Sequence, residues 1–393
     1  MATRGRVSAI SNELEFSVRS RGSECAEGII RNGASAGISL SPEVNPRNVV
    51  ELNISKKIGL RELNSALDTD ISKLIAVADR LDCSVYGGSA VLEPTDGILP
   101  RAYRTTLLSK KVGIGMMQIV SQQIVIGASS EDFGFRLYNN FSRINPVLLA
   151  LSASSPRLYG ESANTHNSRR MQHYEDMFEH LPKMMYRHEP KMERISEYRR
   201  NLQLVSDAVN GLLRKDMVDT DLDRMTNENT FFPFTTLAPH QVYNPTRIRP
   251  DHRDTFEGGN SVMSIELRVC DIPTTRFRMQ AINTLVVGLA YYLQVNEAID
   301  IPEGLNGGFE VLKKAGKHGI NADIGGIRLS EVGASIAKCA SEGLFYQGYE
   351  IEAKHIIDMV RYLSNKNDAM IISDMETGSD VAEQLICRLI RGE

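Results

Sequence analysis

Two segments far apart in the chain alternate charged and apolar side chains with a period of two residues. The first is Glu13-Leu14-Glu15-Phe16, and the second is Ser264-Ile265-Glu266-Leu267-Arg268-Val269. Because side chains alternate between the two faces of a β-strand, each segment predicts a strand with one charged face and one apolar face. Strands of this kind form a sheet that buries one face and leaves the other for chemistry or solvent.

The charged faces of these strands would collect carboxylates from distant parts of the sequence. Mg²⁺ prefers oxygen ligands and is usually shared with substrate phosphates, so Glu13, Glu15 and Glu266 suit that ion. Glu51 lies on a third predicted strand but shares its face with Val49, which makes it a weaker candidate. An amphipathic strand with a solvated outer face would show the same alternation, and the pattern alone leaves both interpretations open.

Composition excludes several classes of protein. The chain has 393 residues, of which 42% are hydrophobic and 24% charged, as in ordinary globular proteins. Its net charge of -4 provides no general attraction to nucleic acid or anionic membrane, and no apolar run is long enough to cross a bilayer. The first residues lack the hydrophobic stretch of a secretory signal. We therefore expect a cytoplasmic protein that binds neither nucleic acid nor membrane.

The cysteine, histidine and glycine patterns carry no common metal or nucleotide motif. Five scattered cysteines without a Cys-x-x-Cys pair predict reduced thiols rather than a disulfide framework or a zinc site. The histidines lack zinc-ligand spacing, and the sequence contains neither a dinucleotide-binding Gly-x-Gly-x-x-Gly unit nor a Walker motif. Any nucleotide must therefore be held in another way.

The order of the predicted elements indicates an α+β protein with a helical C-terminal third. Strands are predicted over 12–19, 48–54, 84–87 and 264–269, with a β-prone stretch over 112–128. Helices are predicted over 71–81, 131–144, 146–153, 276–295, 328–344, 350–365 and 378–391, with Pro146 separating the second from the third. The apolar faces of the C-terminal helices are compatible with a homodimer.

Two polar clusters accompany the acidic strands. Arg247 and Arg249 alternate with Ile248, which places two guanidinium groups on one strand face, where they suit a phosphate or carboxylate. Surface arginines on an edge strand would look the same. The runs 152–156 and 162–170 are rich in serine and end in two arginines, which suits either a phosphate cradle or a solvated helix end.

Taken in order, these segments resemble the prokaryotic carboxylate-amine ligases of the glutamate-cysteine ligase family. Glu13-Leu14-Glu15-Phe16 is similar to the family's opening Glu-x-Glu strand, and Val50-Glu51-Leu52 to its next acidic strand. The most distinctive match is the run from Leu148 to Pro156, which is followed by Gly160, Asn164, Ser168 and Arg169. Arg249-Pro250 and the run from Ile265 to Thr275 complete the resemblance, which spans most of residues 12–295.

The resemblance implies the α+β fold of a glutamine-synthetase-like catalytic domain. Such a domain has a mostly antiparallel sheet with helices packed on one side and, in this chain, a helical C-terminal third. It implies one catalytic domain over 1–393, with 276–393 as its helical part. It also implies an ATP- and Mg²⁺-dependent ligase, in which the side-chain carboxylate of an amino acid such as glutamate is phosphorylated. The amine of cysteine or a related small molecule then displaces the phosphate.

The resemblance also assigns roles to individual residues. The implied metal ligands are Glu13, Glu15, Glu51 and Glu266. Arg249 and Arg268, together with Glu266, form the implied catalytic group, in which the arginines face the phosphate or acyl-phosphate oxygens. The implied nucleotide and substrate contacts are Gln123, Ser152, Asn164, Ser168 and Arg169. Phosphoryl transfer depends on positioning and charge neutralisation, which acids and arginines supply.

One strand departs from the family pattern. The family's central strand usually carries His-x-His-x-Gly, whereas this chain has Gln123-Ile124-Val125-Ile126-Gly127. Glutamine is a weak metal ligand and valine cannot act as one. The departure keeps a second hypothesis open: a non-catalytic relative that binds an amino acid or nucleotide as a sensor or partner subunit. A third is another phosphoryl-transfer enzyme on the same scaffold, such as a guanidino kinase, which rests on fold analogy alone.

Overall fold

The structure is a computed structural model. It describes residues 5–20, 25–42, 48–57, 59–88, 120–155, 167–168, 170–171, 193–194, 196–198, 200, 246–249, 255–256, 259–260, 262–306, 309–365, 368–369 and 388–392.

An antiparallel sheet forms the centre of the described structure. Its strands are β1 (Val7–Ser20), β2 (Leu40–Pro42), β3 (Val49–Lys57), β4 (Cys83–Tyr86), β5 (Gln122–Ala128), β6 (Thr246–Arg249) and β9 (Met263–Leu267). Two short hairpins stand apart from it, β7 (Thr255–Phe256) with β8 (Gly259–Asn260), and β10 (Asp323–Ile324) with β11 (Ile327–Arg328). The order in the sheet is β2-β3-β1-β5-β9-β6, with β4 also paired to β1. The fold places β1, β5 and β9 side by side, although these strands are distant from one another in the sequence.

Helices cover one face of this sheet. They are α1 (Cys25–Gly33), α2 (Leu60–Arg80), α3 (Glu131–Ser152), α4 (Arg276–Val295), α5 (Phe309–His318), α6 (Leu329–Tyr346) and α7 (Glu350–Asn365). Leu14, Phe16 and Leu267 point toward them and are fully buried, so the apolar side of the strands forms the core. The predicted α+β class, with an antiparallel sheet, helices on one side and a helical C-terminal part, is confirmed.

Helix α4 shows how local sequence fixes an element that supports the sheet. The side chain of Thr275 accepts a hydrogen bond from the backbone N–H of Arg278 and caps the helix. Most of its side chains are buried, because it lies between the sheet and the outer helices α6 and α7. Its observed bounds, Arg276–Val295, match the predicted ones.

The predicted break at Pro146 is wrong, since α3 runs without interruption from Glu131 to Ser152. An internal proline removes one helical hydrogen bond and typically costs about 3 kcal/mol. Burial of Ile144, Val147 and Leu148 on either side of it offsets that cost. Helix α2 also begins earlier than the predicted 71, at Leu60. The predicted helix over 378–391 lies mostly outside the described residues.

The prediction of reduced thiols is wrong for one pair of cysteines. Cys25 at the start of α1 and Cys83 at the start of β4 form a disulfide, with their Cα atoms 6.1 Å apart. Cys270 and Cys339 are free thiols, and Cys387 lies outside the described residues. The fold brings together two cysteines that are separated by 58 positions in the sequence. None of the described helices combines the length and hydropathy of a membrane-spanning segment.

Candidate active site

The face of the sheet opposite the helices carries the predicted acids, and we call it the acid face. Glu13 and Glu15 lie on it from β1, and their register partners on β3 are Asn53 and Glu51. On the other side of β1, Glu13 is paired with Gln123 of β5. Register partners point to the same face, so the sheet gathers these polar side chains from three strands.

Glu15 is the most constrained carboxylate of the acid face. One oxygen accepts a hydrogen bond from Nε2 of Gln123 at 2.7 Å, and the other accepts one from Oγ of Ser121 at 3.0 Å. Burial, with a smaller contribution from the nearby Glu51 carboxylate, raises the pKa of Glu15 to about 7, although Arg170, the Ser121 hydrogen bond and Arg268 oppose the shift. Glu15 is therefore held in one orientation, and its protonation depends on any cation that approaches it.

Glu51 has its own pair of donors. Oγ of Ser41 donates to its Oε1 at 2.6 Å, and Nδ2 of Asn53 donates to the same oxygen at 2.9 Å. Glu51 and Glu15 are direct partners across β3 and β1, so two carboxylates meet on one face. A divalent cation would relieve the repulsion between them, and carboxylate oxygens are the ligands that Mg²⁺ prefers. These residues fit a magnesium ion.

Glu266 lies apart from that pair. It is fully buried on β9, where its register partners are Val125 of β5 and Arg247 of β6. Nε of Arg268 lies 3.7 Å from its Oε1, and 22% of the Arg268 side chain is exposed. Because β5 separates β9 from β1, the Glu266 backbone is roughly 10 Å or more from that of the β1 acids. The acid face thus holds two groups of carboxylates instead of one four-ligand cluster.

The spacing of these acids bears on the predicted metal site. Among the described residues, no group of three or more histidine, cysteine, aspartate or glutamate side chains encloses a metal position by itself. Mg²⁺ commonly uses only one or two protein carboxylates and completes its shell with phosphate oxygens and water. The assignment of Glu13, Glu15, Glu51 and Glu266 as metal ligands therefore stays a prediction, with Glu15 and Glu51 the best-placed pair.

The described serines of the two serine-rich runs contact other protein groups, whereas a substrate cradle was predicted for them. Ser152 is buried, and its Oγ donates to the carbonyl of Leu148 at 2.8 Å and accepts from the backbone N–H of Asp271 at 3.1 Å. Ser168 is also buried and donates to Oδ1 of Asp271 at 3.1 Å. The contacts of both hydroxyls are internal ones, so the predicted substrate contact of Ser152 and Ser168 stays a prediction without support from these contacts.

Three other predicted site residues have no described side chain. Asn164 and Arg169 lie outside the described residues. Arg249 lies on β6 with Ser264 as its backbone partner, and its side chain is not described. The proposed phosphate contact of Arg249 therefore stays a prediction, as do the roles of Asn164 and Arg169.

Sequence reasoning missed Ser121, and it gave Arg170 and Asp271 no individual role although the structure brings both to the site. Ser121 contacts Glu15 directly, and extending the alternation two residues back from Gln123 would have identified it. Arg170 and Asp271 form a buried ion pair beside the acid face, with 3.7 Å between Nη1 and Oδ1. Both lie inside the quoted runs 162–170 and Ile265 to Thr275, but no local pattern links positions so far apart in the chain.

Comparison with known structures shows that the fold is shared with ligases. The structure of glutamate-cysteine ligase from Francisella tularensis in complex with AMP matches with a TM-score of 0.67 at 13% identity, covering 98% of this chain and 88% of that one. A bifunctional glutathione synthetase from Pasteurella multocida matches with a TM-score of 0.56 at 12% identity, covering 98% of this chain. The chain spans only 52% of that second protein.

Sequence comparison assigns the chain to a family, whereas the structural comparison shows only a shared fold. No curated protein matches the chain significantly by sequence. The sequence model of glutamate-cysteine ligase family 2 matches residues 13–304. This range begins at Glu13, the first acid of β1, and extends past α4. The matched region contains every strand of the central sheet except the first residues of β1. The chain therefore belongs to glutamate-cysteine ligase family 2.

Proposed function

We propose that the protein is an ATP-dependent carboxylate-amine ligase that forms an amide bond on the acid face. The best-supported form of the reaction joins the side-chain carboxylate of glutamate, or a similar amino acid, to the amine of cysteine or a related small molecule. Family membership supports the ligase class, and the fold shared with a glutamate-cysteine ligase agrees with it. The choice of glutamate and cysteine extends beyond both and is part of the proposal.

The observation that carries the proposal is the pairing of Glu15 with Glu51 under a set of fixed donors. Glu15 is oriented by Gln123 and Ser121, and Glu51 by Ser41 and Asn53. Donors that fix both carboxylates before any ligand binds reduce the cost of ordering a metal-phosphate complex. A merely solvated face would not require a carboxylate to be held in this way.

Each group on the acid face has a task in this reaction. When bound, Mg²⁺ would supply charge neutralisation at the phosphates of ATP. Glu15 and Glu51 would hold that ion, with Glu13 of the same strand as a further candidate ligand, while Glu266 in the separate carboxylate group would orient Arg268. Arg268, partly exposed beside Glu266, would contact the phosphoryl oxygens as the γ-phosphate passes to the substrate carboxylate. The acceptor amine then attacks the carbonyl carbon of the acyl phosphate to form the C–N bond and releases a proton to solvent, while inorganic phosphate leaves with the electrons of the broken C–O bond.

The test is ADP release by the full chain with Mg-ATP and a panel of amino acids, alone and in pairs with amines. We expect glutamate to stimulate ADP release, and an amine acceptor such as cysteine to increase it further. Glu15→Gln and Glu266→Gln should lower that rate by about 10²- to 10³-fold, as is typical when a group that stabilises transition-state charge is removed. Amide product detected by mass spectrometry would identify the acceptor.

The same assay separates the proposal from its alternatives. If the chain binds Mg-ATP while no amino acid stimulates ADP release, it is the non-catalytic relative, and Gln123 and Val125 mark the altered site. If both carboxylate variants retain full activity, the metal lies elsewhere. A suitable matched control is Asp323→Asn, because Asp323 is exposed on the β10–β11 hairpin, which is separate from the central sheet.

A further inference from the structure

We propose that Arg170 and Asp271 are positioning residues that hold the two carboxylate groups of the acid face in register, and thereby set the affinity for the metal-nucleotide complex. We call this pair the Arg170 clamp. The inference rests on the proposed function, since it assigns a role to residues that do not contact substrate. It concerns the chain segment that follows β9, which carries Arg268 and leads away from Glu266.

Arg170 binds the backbone of that segment at three consecutive residues. Its Nη2 donates to the carbonyl of Arg268 at 2.7 Å, and its Nη1 donates to the carbonyls of Val269 at 3.1 Å and Cys270 at 3.4 Å. Val269 and Cys270 are buried, and buried carbonyls need a partner. The planar guanidinium thus adds donors where the regular pairing of β9 ends at Leu267, and the backbone N–H of Gln122 also donates to the carbonyl of Cys270 at 3.2 Å. It fixes the backbone directly after the buried Glu266.

Asp271 neutralises the guanidinium and links it to other segments. It is fully buried and accepts hydrogen bonds from the backbone N–H of Ser154 at 3.1 Å and from the hydroxyls of Ser155 at 2.9 Å and Ser168 at 3.1 Å. The distance from Nη1 of Arg170 to Oδ1 of Asp271 is 3.7 Å. A buried ion pair with this many additional hydrogen bonds favours one arrangement of the chain over alternatives.

The clamp also reaches the second carboxylate group. Asp271 forms a backbone bridge with Ser121, and the Ser121 hydroxyl donates to Glu15 at 3.0 Å. A displacement of the segment after β9 would therefore move both Arg268 and the donor of Glu15. Only 3% of Arg170 is exposed and its guanidinium contacts backbone carbonyls, so it acts through these neighbours rather than on the substrate.

The chain contains a matched control for the clamp. Arg278 and Asp368 form a second buried ion pair, with 2.8 Å between Nε and Oδ1 and 2% of each side chain exposed. This pair lies at the start of α4 on the helix side, where the Arg278 guanidinium stacks 4.7 Å from the ring of Tyr362. Replacing either arginine by lysine keeps the charge and loses the planar fork. Both variants should lose stability, but only one borders the acid face.

The test measures Mg²⁺-dependent binding of a non-hydrolysable ATP analogue to the full chain by calorimetry. We expect Arg170→Lys to weaken binding by about tenfold or more, as for residues that orient metal ligands, and Arg278→Lys to change it less than about twofold. Thermal unfolding of both variants shows whether each is folded at the measuring temperature. Ser168→Ala removes only one hydrogen-bond donor to Asp271 and leaves the ion pair in place, so it should weaken binding of the analogue by a few fold.

Three outcomes would overturn the inference. Unchanged analogue binding by folded Arg170→Lys, or by Ser168→Ala where the lysine variant does not fold, shows that the clamp does not position the site. Equal weakening in Arg278→Lys shows a general effect of lost stability. Absence of Mg²⁺-dependent analogue binding by the unmodified chain removes the proposed function as well. Binding without ligase activity leaves the clamp standing and overturns only the ligase proposal.

Discussion

The two faces of the central sheet are built by the same strands and serve different purposes. On the helix side, Leu14, Leu52 and Leu267 are fully buried and contribute to the core. On the acid face, Glu15 and Glu51 are only partly buried and are held by hydrogen bonds. Because adjacent residues of a strand point to opposite faces, neighbouring positions divide into those that stabilise the fold and those available for chemistry.

The helix side is not uniformly apolar. Asn283 of α4 donates to Oδ1 of Asn12 at 2.8 Å and accepts from Nε2 of Gln122 at 2.9 Å, and all three side chains are buried. These amides fasten β1 and β5 to one position on the helix. Buried amides with partners specify register, whereas the amide of Gln123 on the acid face orients the carboxylate of Glu15. The chemical type of a residue therefore does not reveal its role unless the face of the sheet on which it lies is also known.

The largest contrast is expected between Leu267 and Glu266, which are neighbours on β9 and point to opposite faces. Leu267→Ala should lower the free energy of unfolding by about 2–5 kcal/mol, because it leaves a cavity in the core. Glu266→Gln should lower the free energy less and reduce amino-acid-stimulated ADP release by about 10²- to 10³-fold. Urea denaturation and the ADP assay, carried out below the unfolding transition of both variants, measure the two effects separately.

Either of two results would break this contrast. The first is a greater loss of activity in folded Leu267→Ala than in Glu266→Gln, which would mean that the core side of β9 governs catalysis. The second is an equal loss of stability in both variants, which would mean that Glu266 is chiefly a structural residue.

A sharper contrast comes from two adjacent glutamines on β5. Gln123→Leu removes the donor of Glu15 at 2.7 Å and should weaken Mg²⁺ binding by about 10- to 100-fold with little effect on stability. Gln122→Leu removes donors to Asn283 and to the carbonyl of Met279, and should cost about 1–3 kcal/mol with little effect on Mg²⁺ binding. Metal titration and urea denaturation of both variants provide the comparison, and a reversal of the two effects would contradict the assignment of faces.

The sequence predicted the features that depend on local periodicity. The alternation around Glu15 and Glu266 gave the correct faces, and the bounds of α4 followed from its continuous apolar pattern after Thr275. The break predicted at Pro146 failed because packing on both sides of α3 outweighs the local cost of the proline. Propensity is a weak guide where tertiary contacts are extensive.

The features that the sequence did not predict depend on contacts between distant segments. The disulfide joins Cys25 to Cys83 across 58 positions, and the Arg170 clamp joins segments separated by about 100 positions. Neither contact leaves a periodic signal in one segment. The separation of Glu266 from the Glu15 and Glu51 pair likewise follows from strand order, with β5 inserted between β1 and β9. Residue type identified the acids, but topology determined which of them meet.

A further expected effect is a dependence of stability on pH that originates on the acid face. Burial raises the pKa of Glu15 from 4.5 to about 7, so the folded chain binds this proton more tightly than the unfolded chain. The resulting stabilisation is fully present below about pH 4.5 and is lost as the pH rises through about 7. Glu15→Gln should remove this part of the pH dependence, whereas Leu267→Ala should lower stability at every pH and retain it. Urea denaturation of the metal-free proteins at intervals from pH 4.5 to 8 measures the difference.

Parallel profiles for Glu15→Gln and the unmodified chain would show that the carboxylate is already ionised in the folded state. Added Mg²⁺ should flatten the profile of the unmodified chain, because a cation bound at Glu15 and Glu51 competes with the proton, and it should leave Glu15→Gln unaffected.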